Sequence, residues 1–574
     1  MSIFAGIVNL ESTQSIPRSV VQDLSAAMTR SAVDKPRLFE GPGYAFAKID
    51  FGILGGDGAY VDDHGIVSLL AGVPLLLGAE SGANRHDELK VLHAAWKKAD
   101  VSTLQGSRGS FCAVHFDPTS RRLSVVCDKI GLRPVYYTLQ NGYLIFSTAV
   151  RILEAIPVVE RKIDLSGVAE IVSLGYPLGN RSPYATISTL GPGEIVEAGP
   201  SGIRRREYWR WDTLPECAVS QEELPSRLFK EFQHAVRRRL GNQRAVVGCL
   251  SGGLDSRCIV SCLRLLGTEV HTLNFALAGS QDLVLGKLAA DKLGTRHFEF
   301  PMGPLDDHWD KMLTIHGSWL SETAAEREVE QPRLLWSGDG GSVGLGHVYL
   351  TEEIVTLMRQ GRIADAIEAY LRHNRVGLPM RLFLRGQRER VRDLLHASIL
   401  EELGKLKSFD EGRRFHLFLM ANDQRRHLAR HYEDIDLQRF ELVTPFFDSE
   451  FLQVILSSPI DGFLRHRFYS RWLEEYPPDT RATPWQAYPG HEPCPIPLPE
   501  GLRGQWEGSY GREEDQALLR QNLAIGKKVL SDPRFPEWLL DRKILRLAVW
   551  LTRLGLRDYS YLFKAANIFT RYSA

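Results

Sequence analysis

The segment that most constrains the fold is a continuous apolar run at residues 244–250, RAVVGCL, which leads directly into a glycine-rich turn. An apolar run without alternation is typical of a strand that is buried on both faces of a parallel sheet. A helical pattern follows the turn, and a second apolar run, VHTLNFAL, occupies residues 270–277. Because parallel neighbours need a crossover connection, this region predicts a β-α-β unit within an α/β domain.

The first part of the chain has a different pattern, with short β-rich segments separated by tight turns. Asn141 and Gly142, between two such segments, are a hairpin signal. We predict an α+β domain of layered, largely antiparallel sheets over residues 1–210. We assign residues 211–574 to an α/β parallel-sheet domain with a helical C-terminal part, since a chain of 574 residues exceeds a single compact core.

The composition excludes several classes of function. Lys plus Arg and Asp plus Glu number 70 each, so there is no overall charge that favours nucleic acid or an anionic membrane. We find no apolar run of about 18 residues and no signal peptide pattern. The seven cysteines include no CxxC pair. We therefore expect a reduced, cytoplasmic protein without nucleic-acid or membrane partners.

The turn at residues 251–256, SGGLDS, carries the strongest chemical signal. Glycines between a strand and a helix let backbone N–H groups approach a phosphate, and the helix N-terminus favours negative charge. Ser251 and Ser256 add hydroxyl donors. Asp255 would repel phosphate unless a cation lies between them, and Mg²⁺ fits that position. The turn is neither a Walker A loop nor a GxGxxG motif.

This turn resembles the pyrophosphate loop of the ATP pyrophosphatase group, whose members cleave ATP to AMP and pyrophosphate. Three further blocks, at residues 128–137, 336–342 and 443–448, resemble the asparagine synthetase family and occur in its order. The resemblance implies an Ntn-hydrolase-like amidotransferase domain ahead of an ATP pyrophosphatase-type synthetase domain, with ATP and Mg²⁺ as cofactors. It implies Asp255 as the metal ligand, and these nucleotide-binding residues: Leu250, Ser251, Gly252, Gly253, Asp255, Ser256, Phe275, Ser337 and Gly338.

The chain departs from that family in its N-terminal part. Active glutaminase domains begin Met-Cys and use the cysteine as nucleophile, whereas this sequence begins MSIFAG. Residues 70–74, LAGVP, replace the Asn-Gly-Glu segment that holds glutamine in the family. We expect Ser2 not to replace the missing nucleophile and the domain to be a degenerate amidotransferase. A synthetase that cannot release ammonia from glutamine needs another amine as its nucleophile.

Two related families with this lesion are β-lactam synthetases and lasso peptide macrolactam cyclases. The proline-rich run at residues 482–495 resembles the lasso cyclases, which is our leading hypothesis. Asp339 stands where relatives have Glu or Tyr and is our candidate base, while His491 or Arg481 is the candidate for stabilising the transition state. Ser342 stands where the family has a second metal-binding Asp, and the family's lysine is missing.

The lasso cyclase resemblance implies a precursor peptide as the substrate, whose Asp or Glu side chain is adenylated and then attacked by the peptide's own N-terminal amine. It also implies a leader-processing cysteine protease and a leader-binding protein as partners. The alternatives are an asparagine synthetase-like ligase that uses ammonia or a small amine, a β-lactam synthetase-like cyclase and an inactive nucleotide-binding relative.

Overall fold

The computed structural model describes residues 2–78, 83–303, 305–306, 308–322, 328–504 and 512–573. Its N-terminal strands are β1 (Ser2–Asn9), β2 (Arg37–Gly41), β3 (Tyr44–Asp50), β4 (Ala59–Val61), β5 (Val67–Gly72), β6 (Phe111–Asp117), β7 (Arg122–Cys127), β8 (Tyr136–Gln140), β9 (Tyr143–Ser147), β10 (Ser188–Thr189), β11 (Glu194–Gly199) and β12 (Gly202–Glu207). The helices between them are α1 (Arg18–Ala27), α2 (Arg85–Lys97), α3 (Ser102–Gln105), α4 (Val150–Ala155) and α5 (Leu165–Leu174).

These strands form two six-stranded sheets, ordered β10-β8-β9-β1-β3-β2 and β12-β11-β7-β6-β5-β4. The strand pairs within both sheets are antiparallel. The two sheets enclose an apolar core, where the rings of Phe46 and Phe116 meet edge to face with centroids 5.3 Å apart. A side chain at Gly6 would clash with Phe46 and Phe146, so the close approach there requires glycine. The predicted antiparallel layers are confirmed.

The predicted β-α-β unit is also present, in a third sheet, which is parallel and has the order β15-β14-β13-β16-β17. Its strands are β13 (Ala245–Cys249), β14 (Glu269–Asn274), β15 (Arg296–Glu299), β16 (Leu334–Trp336) and β17 (Glu441–Val443). Since the strands run parallel, their carboxyl ends lie at one edge, which is where ligands bind in such sheets. The SGGLDS turn follows β13 at that edge.

Helices account for most of the remaining C-terminal part. In chain order they are α6 (Leu224–Leu240), α7 (Asp255–Leu265), α8 (Gln281–Leu293), α9 (His308–Glu322), α10 (Gly341–Gly344), α11 (Glu352–Arg359), α12 (Ile363–His373), α13 (Arg388–Arg392), α14 (Leu394–Gly404), α15 (Arg414–Leu419), α16 (Arg425–His427), α17 (Ala429–Glu433), α18 (Ile435–Gln438), α19 (Ser449–Leu456), α20 (Arg467–Trp472), α21 (Arg512–Ser531), α22 (Arg542–Arg553) and α23 (Ser560–Tyr572). A π-helix, Met420–Gln424, joins α15 to α16. Among the described residues, no helix has both the length and the apolar character that a bilayer crossing requires.

Buried contacts join the antiparallel and parallel regions. Arg133 donates to Glu441 at 2.5 Å, and its guanidinium lies 4.2 Å from the ring centroid of Tyr432. Asp436 accepts hydrogen bonds from both Arg30 and Arg151. The predicted domain boundaries, 1–210 and 211–574, stay a prediction. These contacts nevertheless hold the antiparallel sheets against the C-terminal part of the chain.

Candidate functional site

The SGGLDS turn is closed by its own hydroxyl groups. Ser251 donates its backbone N–H to Ser256 Oγ at 3.0 Å, and the N–H of Gly253 reaches Ser251 Oγ at 3.2 Å. The N–H of Gly252 donates to Asp282 Oδ1 at 3.0 Å. A Cβ at Gly252 would lie 2.8 Å from the backbone oxygen of Gln281 in α8, so only glycine fits there. The turn is a compact loop that opens the helix α7.

Asp255, the predicted metal ligand, begins α7 and is fixed by two hydroxyl groups. Its Oδ2 accepts from Ser342 and its Oδ1 from Tyr469, both at 2.6 Å. Burial raises the pKa of Asp255 to about 6, although both hydrogen bonds oppose the shift. Ser342 and Tyr469 therefore orient the Asp255 carboxylate. Within the described ranges, no group of three His, Cys, Asp or Glu side chains could hold a metal ion by itself.

Two cavities meet at this carboxylate. The main cavity, about 400 Å³, extends along the ends of β13, β14 and β16. The side cavity, about 190 Å³, lies beneath residues 485–488. They share Ser251, Asp255, Asp282, Ser342 and Tyr488.

The structure brings most of the predicted site residues to these cavities. Those that line the main cavity are Leu250, Ser251, Asp255, Ser256, Phe275, Ser337, Gly338 and Asp339. Gly253 lines the side cavity, and Gly252 lies within the loop between them. The nucleotide-binding roles of these residues stay predictions.

Asp339 is paired with a histidine that the sequence reasoning missed. His427 Nε2 lies 2.7 Å from Asp339 Oδ1, while Ser337 Oγ donates to Asp339 Oδ2 at 2.5 Å. Burial lowers the pKa of His427, but the hydrogen bond and charge of Asp339 outweigh it, so the net pKa is raised. His427 is 88 positions from Asp339 in the chain, and no local motif marks it. The pair faces the main cavity.

His491, the other predicted catalytic residue, lines neither cavity. Its Nδ1 lies 2.9 Å from Nδ1 of His466, and His466 lines the side cavity beside Asp255. Burial lowers the pKa of His466 to about 3 and that of His491 to about 4, so both rings are neutral at pH 7. His466 is therefore the nearer of the two to the loop. Arg481 is exposed and is absent from the lining of both cavities.

The proline-rich run packs directly on the SGGLDS turn and on α7. Gln486 donates its N–H to the carbonyl oxygen of Gly252 at 2.9 Å. The buried guanidinium of Arg257, in α7, donates to the carbonyl oxygens of Thr483 and Pro484, each at 2.8 Å. This segment forms one wall of the side cavity.

Acidic side chains outnumber basic ones in the lining of the site. Asp255, Asp282 and Asp339 line the main cavity, and Glu492 lines the side cavity. No Lys or Arg is among the described residues that line either one. These carboxylates would repel a polyphosphate unless cations bind with it. Carboxylate oxygens are the ligands that hard cations such as Mg²⁺ prefer.

Comparison with known proteins agrees with the fold. A glutamine amidotransferase domain family matches residues 81–209, and the asparagine synthase family matches residues 227–322. An amidotransferase-like region therefore precedes a synthetase-like region in this chain, and both regions are similar to parts of asparagine synthetases.

Individual relatives are distant. Asparagine synthetase [glutamine-hydrolyzing] 3 of Bacillus subtilis is 26% identical over 170 residues, 29% of this chain and 26% of the relative. A putative asparagine synthetase of Methanocaldococcus jannaschii is 24% identical over 47% of this chain and 55% of the relative. The chain thus spans from about a quarter to about half of these relatives. The glutamine phosphoribosylpyrophosphate amidotransferase of B. subtilis covers 46% of this chain and 58% of its own, with 12% identity and a TM-score of 0.22, too low for a structural argument.

Proposed function

We propose that this chain is an ATP-dependent carbon–nitrogen ligase that adenylates a carboxylate and transfers the acyl group to an amine. One observation carries the proposal. The SGGLDS turn, which contains Asp255, and the Asp339–His427 pair line the same cavity of about 400 Å³. An anion-binding loop and a group that accepts a proton are what the two steps of such a reaction require.

In the first step, an oxygen of the substrate carboxylate attacks the α-phosphorus of ATP. The bond from that phosphorus to the bridging oxygen breaks, and pyrophosphate leaves. The first N–H groups of α7 hold the phosphates, together with the hydroxyl groups of Ser251 and Ser256, because the N–H groups of residues 251–253 already donate within the protein. The donor set fits Mg²⁺, because Asp255 and Asp282 offer carboxylate oxygens on a cavity without cationic side chains. Bound Mg²⁺ would supply charge neutralisation at the pyrophosphate.

In the second step, the amine nitrogen attacks the acyl carbon and the bond to the AMP oxygen breaks. The proton that the amine loses goes to His427. With Nε2–H directed to Asp339 at 2.7 Å, Nδ1 is the atom that accepts it. The Asp339 carboxylate then stabilises the imidazolium, as acids do in Ser-His-Asp triads. Asp339, expected from sequence to be the base itself, thus acts through His427.

The finer assignment is an isopeptide macrolactam cyclase of the lasso type. It is supported by the proline-rich run, which packs on Gly252 through Gln486. The substrate would be a precursor peptide whose own amine attacks its adenylated Asp or Glu side chain. Holding both groups together can contribute up to about 7–11 kcal/mol. A leader-processing cysteine protease and a leader-binding protein would act on the same peptide.

A second candidate is a ligase for ammonia or a small amine, favoured by the names of the curated relatives. One experiment separates the candidates. The full chain is incubated with ATP, Mg²⁺ and either a linear core peptide or L-aspartate with ammonium chloride. AMP release with loss of one water from the peptide supports the cyclase. AMP release with asparagine supports the second candidate, and no AMP with any carboxylate refutes ligase activity.

The roles within the site are tested by His427→Gln and Asp339→Asn. Pyrophosphate exchange into ATP reports the first step alone and should remain within a few-fold of wild type. Amide formation should fall by about 10²-fold or more, the usual scale for a lost general base. His396→Gln, at a half-buried histidine outside the cavities, is the matched control. If exchange falls in parallel with amide formation, the pair serves the nucleotide or its metal, and the division of roles is wrong.

A further inference from the structure

The helix that carries His427 changes its hydrogen-bond register just before the site. The π-helix Met420–Gln424 separates α15 from α16. Such single-turn bulges hold one extra residue, are rare, and are frequently found at functional sites. Here the bulge ends at a residue that lines the main cavity, Gln424, three positions before His427.

The side chains of Arg425 and Arg426, between Gln424 and His427, face away from the main cavity. Arg425 donates to the carbonyl oxygen of Gly179 at 2.8 Å, and Arg426 donates to that of Arg181 at 3.1 Å. Both contacts anchor the helix on the antiparallel region of the chain. The guanidinium groups are therefore directed away from the cavity, and the faces of Gln424 and His427 are directed towards it.

Gln424 has an acceptor that the protein leaves unused. The residue is 2% exposed, and its Nε2 donates to Asp423 Oδ2 at 2.7 Å. Its Oε1 is buried and has no hydrogen-bond partner. A buried acceptor without a donor costs about 1–3 kcal/mol, so the arrangement is unfavourable unless a ligand supplies an N–H or O–H group. The carboxylate of Asp423 fixes the amide orientation that leaves Oε1 unpaired.

The surroundings favour an amine as that donor. The main cavity contains the carboxylates of Asp339, Asp255 and Asp282 and no Lys or Arg among its described lining residues. A primary amine or ammonium group brings two or three N–H donors and, when charged, the sign that these carboxylates favour.

We propose that Gln424 Oε1 accepts a hydrogen bond from the attacking primary amine, and that Gln424 and His427 together form the amine-binding site. This inference rests on the proposed ligase function and adds the residue that selects the nucleophile. The π-helix sets the spacing: Gln424 holds one N–H of the amine, and His427 receives the proton that leaves during attack. A substrate without a free N–H on its nucleophile would leave Oε1 unsatisfied and bind poorly.

The test is Gln424→Met, which removes the acceptor and keeps the length of the side chain. Gln438→Met is the matched control, because Gln438 is also buried, 4% exposed, with an unpartnered Oε1, but lines neither cavity. Hydroxylamine is the amine probe, with a linear peptide carrying an aspartate side chain as the carboxylate and L-aspartate in parallel. Pyrophosphate exchange and hydroxamate formation are both measured.

Gln424→Met should leave exchange within about twofold of wild type and raise the hydroxylamine concentration for half-maximal hydroxamate by about tenfold, the equivalent of one hydrogen bond. Gln438→Met should change neither. Gln424→Asn moves the acceptor back by one methylene and should also raise the hydroxylamine requirement. It replaces Gln424→Met in the test if the methionine variant does not fold. An unchanged hydroxylamine requirement overturns the amine site. A raised ATP requirement instead would assign Gln424 to the nucleotide. No exchange in the wild-type chain would refute the ligase function itself.

Discussion

Replacing Arg133 with methionine should destabilise the protein strongly, because it leaves a buried carboxylate without its partner. Arg133 is 5% exposed and donates to Glu441, which is 3% exposed and whose second oxygen, Oε2, has no hydrogen-bond partner. The guanidinium also donates to the carbonyl oxygen of Ser110 at 3.2 Å and stacks on Tyr432. Removing one partner of such a pair costs about 3–5 kcal/mol.

The decrease in melting temperature that this loss of stability causes depends on how many residues unfold together, so it also tests the predicted domain boundary. Unfolding entropy is about 2.1 cal/mol/K per residue, so a loss of about 4 kcal/mol lowers Tm by about 3 °C if the 574 residues unfold as one unit. If a domain of about 210 residues unfolds separately, the same loss lowers its Tm by about 9 °C. Differential scanning calorimetry distinguishes the two shifts.

Two controls accompany this variant. Arg133→Met with Glu441→Met removes both charges and should recover most of the lost stability, since an apolar pair can replace a buried ion pair. Arg534→Met breaks a half-exposed pair with Asp532 and should change the stability by less than about 1 kcal/mol. A Tm for Arg133→Met within about 1 °C of wild type would refute the argument, as would a double variant less stable than the single one.

The remaining predictions concern the loop, the N-terminal strand and pH. Asp255→Ala should abolish AMP formation with the fold retained by circular dichroism, and near-normal turnover would contradict its role at the phosphates. Ser2→Ala should leave product yield unchanged without consumption of glutamine, because the Ser2 hydroxyl is buried and donates to the carbonyl oxygen of Leu70; glutamate release that matches product formation would overturn this. Burial lowers the pKa of His115 to about 4 and of His416 to about 3, so protons bind preferentially to the unfolded chain below its histidine pKa of about 6.5. Stability should therefore fall as pH decreases from about 6.5 towards 4, and His115→Gln should flatten Tm against pH; an unchanged slope would count against it.

Local signals predicted the sheets well. The hairpin at Asn141 and Gly142 joins β8 to β9, with φ of 51° and 77° at these two residues. Such positive φ values are what this residue pair supplies at a two-residue turn. The apolar run at 244–250 contains β13, and the run at 270–277 includes all of β14 except Glu269. In each case the signal lies within one segment, where strand burial or turn geometry dictates the residue type.

The candidate site was predicted only where it is contiguous. The loop residues at 251–256 form a motif, whereas Tyr469 reaches Asp255 across 214 positions and His427 reaches Asp339 across 88. Those contacts depend on how helices pack and on the register of one of them. Gln424 follows an ordinary helical segment in sequence, and nothing local indicates that a π turn directs it into the cavity.

That register has an evolutionary consequence. Each residue of an α-helix turns the chain by about 100°, so deleting one residue from Met420–Gln424 would rotate the preceding and following faces of the helix against each other by that angle. The contact that His416 makes with the carbonyl oxygen of Val343 before the π-helix, and the contact of His427 with Asp339 after it, could then not both be kept. A single inserted or deleted codon is thus enough to change which side chains of this helix face the SGGLDS turn across the main cavity.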